Sequence, residues 1–187
     1  MAVALYWQGP IGPGYFPEDP LIFDNLCEPG VYLRVKTYDD NRLVAYAGQS
    51  VSLLARFDQH LSSMLSLSAP LRDASGTTIF TGDAGARIAA YGNLANAAAL
   101  AAADTARVRF WYAMCDEYFH IEHLNLVEGL LQRRINGRLS DIENAVTAPG
   151  RVPGDVPDRW ENDFSSLNTA NGELLRTLLG VETMTSL

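Results

Sequence analysis

Residues 30–65 read GVYLRVKTYDDNRLVAYAGQSVSLLARFDQHLSSML, and the reading of this stretch decides the fold. Gly30–Lys36 and Arg42–Gly48 are two β-prone runs either side of a polar segment, Thr37–Asn41, which is the pattern of a hairpin. With the loop at Thr37–Asn41, the pairing sets Tyr32 opposite Tyr46 and Lys36 opposite Arg42, so both tyrosines share one face. The next run offers Ser50 and Ser52 as N-caps, followed by apolar residues at Leu54, Phe57, Leu61 and Leu65, close to helical spacing. On such a helix Arg56 and His60 lie one turn apart on one face.

Upstream, QGPIGPGYFPEDP (residues 8–20) is too rich in proline and glycine for a helix or a central strand, so residues 1–29 are expected to form an irregular leader. Downstream, residues 66–83 are turn-rich. Residues 84–106 are dominated by alanine and interrupted by Gly92 and Asn93, which predicts a small-residue helix or helical pair. Residues 107–114 alternate and are aromatic, as a strand does. EYFHIEHLNLVEGLLQRRING (residues 117–137) predicts a helix ended at Asn136-Gly137, with an apolar stripe through Ile121, Leu124, Val127, Leu131 and Ile135 and Glu128 in or beside it. TAPGRVPGDVPDRW (residues 147–160) reads as a linker and the segment from Trp160 to Gly180 as a short helical tail.

The chain's 187 residues, 48% of them apolar, suit one domain with a real core. A net charge of −8 means that a polyanion approaches against the average field and must meet a local basic cluster. Lys36 is the only lysine. The basic groups that cluster are Arg34, Lys36 and Arg42 around the hairpin, and Arg133, Arg134 and Arg138 near the Glu128 helix. Cys27 and Cys115 stand far apart and form no CxxC, which fits a reducing cytosol and no thiolate zinc site. With no basic n-region followed by an apolar run, and no stretch of membrane-spanning length, the expectation is a cytoplasmic protein without an anchor.

Taken singly, these features have bland readings: strand tyrosines pack, helical Arg–His pairs face water, and a boundary glutamate lays its stem on the core. Together, Gly30-Val31-Tyr32, Tyr46-Ala47-Gly48 with Gln49-Ser50, then Arg56, His60 and a later Glu128 resemble the GIY-YIG nuclease superfamily over about residues 30–140. The resemblance implies an α/β (α+β) fold, with a small three-stranded antiparallel sheet flanked by helices. It would span residues 30–145, with an Ala-rich helical insertion at about 63–106 and residues 146–187 as linker and helical extension. It implies hydrolysis of phosphodiesters in DNA with one divalent ion, Mg²⁺ or Mn²⁺. By matching positions, Glu128 would be the metal ligand, Arg56 would bind the scissile phosphate and Tyr32 would lie beside the attacking water. Tyr46 and His60 would orient the nucleophile or shuttle protons. An asparagine often found about twelve residues after the glutamate is replaced by Ser140, so that role falls to Asn136, with Asn144 further on.

The chemistry of these residue types agrees. Mg²⁺ takes oxygen ligands and keeps most of its waters, so one carboxylate plus substrate phosphate is a sufficient site. An arginine fork is always charged and matches a phosphate. Tyrosine, with an ordinary pKa near 10, needs roughly 4 kcal/mol of phenolate stabilisation to act as a base at neutrality, and His60 is the alternative base. Both assignments stay open at this point. One such site cuts one strand, so double-strand cleavage would require a homodimer or sequential nicks. Two other readings keep the fold: a catalytically idle module that binds nucleic acid or a protein partner, and a repair nuclease acting with partners. Glu117, His120 and His123 offer a zinc reading, against the commoner one of a polar helix face.

Overall fold

The computed structural model describes residues 2–16, 21–139 and 157–185. Its elements are β1 (Ala2–Tyr6), β2 (Gln8–Ile11), α1 (Leu21–Cys27), β3 (Gly30–Thr37), β4 (Leu43–Ser50), α2 (Leu53–Leu65), β5 (Leu71–Arg72), β6 (Thr78–Phe80), α3 (Ala84–Tyr91), α4 (Leu94–Thr105), β7 (Val108–Met114), α5 (Leu124–Asn136), β8 (Arg159–Asp163), α6 (Thr169–Leu179) and β9 (Met184–Thr185). The class is mixed α+β. No helix among the described residues is long and apolar enough to cross a membrane.

The hairpin forms as β3 and β4, and β7 joins β3 on its other side, all antiparallel. The central sheet is larger than three strands, because β2 adds a fourth in the order β2-β7-β3-β4. The leader is therefore not irregular. Pro10 is accommodated because β2 is an edge strand with a register shift between Gln8 and Ile11, where a missing N–H costs no ladder bond. β1 pairs in parallel with β8 and β8 with β9, so the segment expected to be only a helical tail contains a strand before α6.

Hairpin register also differs from the sequence reading. Tyr32 pairs with Gly48, Arg34 with Tyr46 and Lys36 with Val44. A 3-10 turn at Asp39–Asn41, with Asn41 in the left-handed region at φ 58°, lengthens the loop, which closes through Tyr38 N–H to Arg42 O at 2.8 Å. Because the slip is by two residues, both tyrosines still share a face.

Strand alternation sorts the core into layers. Val31, Leu33, Val35, Ala45, Ala47 and Trp111 face a cluster completed by Val127, Leu131 and Ile135 of α5. On the opposite face Tyr32, Phe110 and Tyr112 pack with Leu53 and Phe57 of α2 and Leu26 of α1. The Ala-rich segment is a helical pair split at Gly92-Asn93, in which Ala97 and Ala101 of α4 pack with Met64 of α2. Asp83 and Asn93 cap the two helices. The expected helix from Glu117 starts late: a 3-10 turn spans Ile121–His123, α5 begins at Leu124, and Ile121 is exposed rather than part of the stripe.

Candidate functional site

Ser52 caps α2 by accepting from Ala55 N–H at 3.4 Å, and this sets the helix across the face of the sheet that carries both tyrosines. His60, two turns along, then meets Tyr32: its Nε2 lies 2.8 Å from the phenol oxygen. Its Nδ1 lies 3.2 Å from Nη1 of Arg34. Tyr46 completes the group, its ring centroid 6.0 Å from that of Tyr32 and 5.2 Å from that of His60, with the Arg34 guanidinium 5.2 Å from its centre. Gly48 makes the packing possible, because a Cβ there would collide with the Tyr32 phenol that lies across it. Gly30 has the same constraint against the Ala113 carbonyl and Leu53.

Charge states follow from burial. Tyr32 is only 1% exposed, and burial, then the neighbouring Tyr46, push its phenol well above the ordinary range against the pull of Arg56 and Arg34. Burial, followed by the charges of Arg34, Arg56 and Lys36, pulls His60 from 6.5 down to about 3. Both are neutral at pH 7. A cavity of about 380 Å³ opens against Arg34, Tyr46 and His60, and its other wall is supplied by Ser63, Arg72 and Thr78. The turn-rich segment after α2 thus borders the group.

Glu128 comes from the other side of the sheet. α5 packs along β4, which is the sheet's edge, and places three polar side chains at helical spacing against it. Gln132 Nε2 donates to Ala47 O at 3.2 Å, the Gln49 backbone N–H donates to the Glu128 carboxylate, and Gln49 Nε2 donates to Asn125 Oδ1 at 3.4 Å. Burial raises the Glu128 carboxyl above its usual range, opposed first by Arg56 and then by the Gln49 N–H. Arg56, whose Nη1 donates to Gln59 Oε1 at 2.7 Å, is close enough for its charge to act on both Tyr32 and Glu128. Tyr32, Tyr46 and His60 are in mutual contact on one face, whereas Glu128 is held from the other face at the β4 edge, and Arg56 is linked to both by charge alone.

The basic clusters separate differently. Arg34 is buried at 7% exposure and belongs to the tyrosine–histidine group, not to a DNA-facing surface. Lys36, 2% exposed, is paired at 2.8 Å with Asp104, which also accepts from Tyr38 Oη at 2.5 Å and Arg72 N–H at 3.2 Å. It cannot reach a phosphate. Arg134 and Arg138 bond Glu182 at 3.1 and 2.9 Å, and with Arg133 they border a wider cavity of about 640 Å³ at the far end of α5. Arg42 is half-buried beside Ser75. Asn136 ends α5, about 12 Å of helix beyond Glu128. Among the described residues its Oδ1 is buried without a hydrogen-bond partner. Ser140 and Asn144 lie outside the described residues.

His120, Glu122 and His123 bring three ligand atoms within 4.8 Å of one another, whereas Glu117 contributes only its backbone carbonyl, 2.7 Å from His120 Nε2. His120 N–H donates to His123 Nδ1 at 3.1 Å, so in a neutral ring the proton sits on Nε2, the atom that would face the ion. Metal could enter only after that bond is given up.

Sequence reasoning placed Arg34 in a DNA-facing cluster and quoted Gln49 only within the motif, and it missed the Arg34–His60 contact, the Gln49–Glu128 bond and the Lys36–Asp104 pair. Only the Arg34 position had a usable signal: it shares the Tyr32 face and, in the observed register, sits opposite Tyr46. No protein-family model, curated protein or solved structure matches the chain.

Proposed function

We propose that this chain is a divalent-metal-dependent endonuclease of the GIY-YIG type that hydrolyses phosphodiester bonds in DNA. The observation that carries the reading is the contact of two phenols and a histidine on one sheet face, with an arginine whose charge acts both on that group and on a half-buried carboxylate at the neighbouring strand edge. Glu128 suits Mg²⁺ or Mn²⁺: burial makes its charge costly until a cation arrives, and one carboxylate with waters and phosphate oxygens satisfies such an ion. The bound ion would supply charge stabilisation for the phosphate in transition. Arg56, whose charge acts on both Glu128 and Tyr32, holds the scissile phosphate. Tyr32 faces the attacking water, with Tyr46 and His60 orienting it.

Tyr32 is uncharged in the free chain, and each pKa unit by which it must fall requires about 1.4 kcal/mol. Arg34 and Arg56 already pull in that direction, so the base is completed only in the loaded site.

The test is supercoiled plasmid incubated with Mg²⁺, Mn²⁺ or EDTA, using the natural chain and Glu128→Gln. The expected outcome is metal-dependent conversion to open circles, lost by several orders of magnitude in the variant with the fold retained. Equal nicking by Glu128→Gln removes Glu128 from the mechanism. One observation favours a second reading, a catalytically idle binding module: Glu128 already has a structural task in accepting the Gln49 N–H at the sheet edge. DNA binding with no nicking in either metal would select it.

A further inference from the structure

Arg34 lies two residues beyond Tyr32 on β3, buried beneath the Tyr46 ring. A guanidinium has donors and no acceptor, so in its 3.2 Å contact with His60 the arginine donates and Nδ1 accepts. An Nδ1 that accepts carries no proton. A neutral imidazole in that arrangement bears its proton on Nε2, and a doubly protonated one could not make the contact at all. Nε2 is the atom 2.8 Å from the Tyr32 oxygen, so it donates to the phenol instead of receiving the phenol's proton. The Tyr32 hydroxyl hydrogen is then directed away from His60.

We propose that Arg34 is a positioning residue that locks His60 in the Nε2–H tautomer, making His60 a fixed hydrogen-bond donor to the Tyr32 oxygen. The catalytic half of this inference rests on the nuclease reading. Of the two proton acceptors left open by the sequence, it selects Tyr32: a donor already aimed at the phenol oxygen strengthens as that oxygen becomes phenolate, whereas His60 has its one lone pair engaged by Arg34. In the loaded site the Tyr32 phenol first gives its own proton to solvent; the phenolate oxygen then takes the proton of the attacking water as the new P–O bond forms, and the leaving oxygen departs with the bonding electron pair and takes a proton from solvent water. His60 gains and loses nothing in that step.

The tautomer is measured directly, with no substrate present. The full chain, labelled with ¹⁵N in its three histidine rings, is read at neutral pH by long-range ¹H–¹⁵N correlation, His60 being assigned by its absence in His60→Gln. The expected pattern is an unprotonated Nδ1 and a protonated Nε2 for His60. In Arg34→Met, where Tyr32 is free to donate to Nε2, the pattern moves towards the Nδ1–H form, and Arg34→Lys, which keeps a donor, restores it. A proton on Nδ1 in the natural chain overturns the proposal without any variant having to fold, and so does an unchanged His60 pattern in a folded Arg34→Met. In plasmid nicking, Arg34→Met should lower kcat ten- to a hundredfold with KM nearly constant. A raised KM at constant kcat makes Arg34 a substrate contact and overturns the positioning role. The spectrum is read whether or not the protein cuts DNA, so failure of the tautomer and failure of the nuclease reading are separate results.

Discussion

A methyl group on Gly48 would occupy the space that the Tyr32 phenol fills, and everything else in the pocket is built on where that ring lies. The ring's contact with His60 has a consequence for acid stability. Native His60 titrates near 3, whereas an unfolded histidine titrates near 6.5, so between those values the unfolded chain holds one more proton than the native chain. Protonation then favours unfolding, and stability falls as pH drops through that window, by at most about 1.4 kcal/mol per pH unit from this group. Urea titrations from pH 7 to pH 4 should show His60→Gln losing less stability on acidification than the natural chain. Parallel curves would show that His60 is not held neutral by its surroundings. At this scale the sequence was legible where a period decides: alternation put Tyr32 and Tyr46 on one face, and helical spacing put His60 one turn after Arg56, whereas only the fold shows that His60 lies over the tyrosines. Arg34 escaped because its role depends on which residue it opposes, and a left-handed Asn41 in the loop moved that by two positions.

Among elements, β3, β5 and α4 are tied together by one buried carboxylate. Asp104 on α4 receives Lys36 from β3 and the Arg72 N–H from β5. Burial lowers the lysine to about 8, partly restored by Asp104, so the pair is a junction held at some electrostatic cost. Asp104→Ala leaves an ammonium buried alone and should cost about 3–5 kcal/mol in urea denaturation. Lys36→Met with Asp104→Leu should recover most of that loss, and a double variant as unstable as the single one would mean that the fold needs the charges themselves. None of this was readable beforehand, since Lys36 and Asp104 are far apart in sequence and a lone strand lysine looks like a surface group. The strands of the leader escaped for a different reason: Pro10 argues against a central strand, and only the assembled sheet shows that its strand lies at the edge. The hairpin, α2, the split Ala-rich pair and β7 were each legible because local pattern and tertiary role coincide.

Taken whole, the molecule is acidic and offers few cations to a polyanion. Lys36 and Arg34 are buried and Arg134 and Arg138 are bonded to Glu182, whereas, among the described residues near the strand edge and α5, Arg133 is exposed and Arg42 and Arg56, each with a hydrogen bond inside the chain, are half-buried. About three phosphate contacts predict a shallow salt dependence, with a log–log slope of about −3. Fluorescence anisotropy with duplex DNA across a salt series measures it, and a slope near −8 would point to a basic surface other than these side chains. The pairing of β8 with both β1 and β9 has a further consequence. Ala2 and Thr185 flank Arg159 on either side, about 10 Å apart by two strand spacings. A short glycine linker could therefore join β9 to β1 across β8, and the chain could be opened at Gly92-Asn93, beside a helix that buries no side chain. Such a circularly permuted chain should fold with the Tyr32–Tyr46–His60 contacts intact, giving a topological handle on the protein that leaves the proposed site untouched.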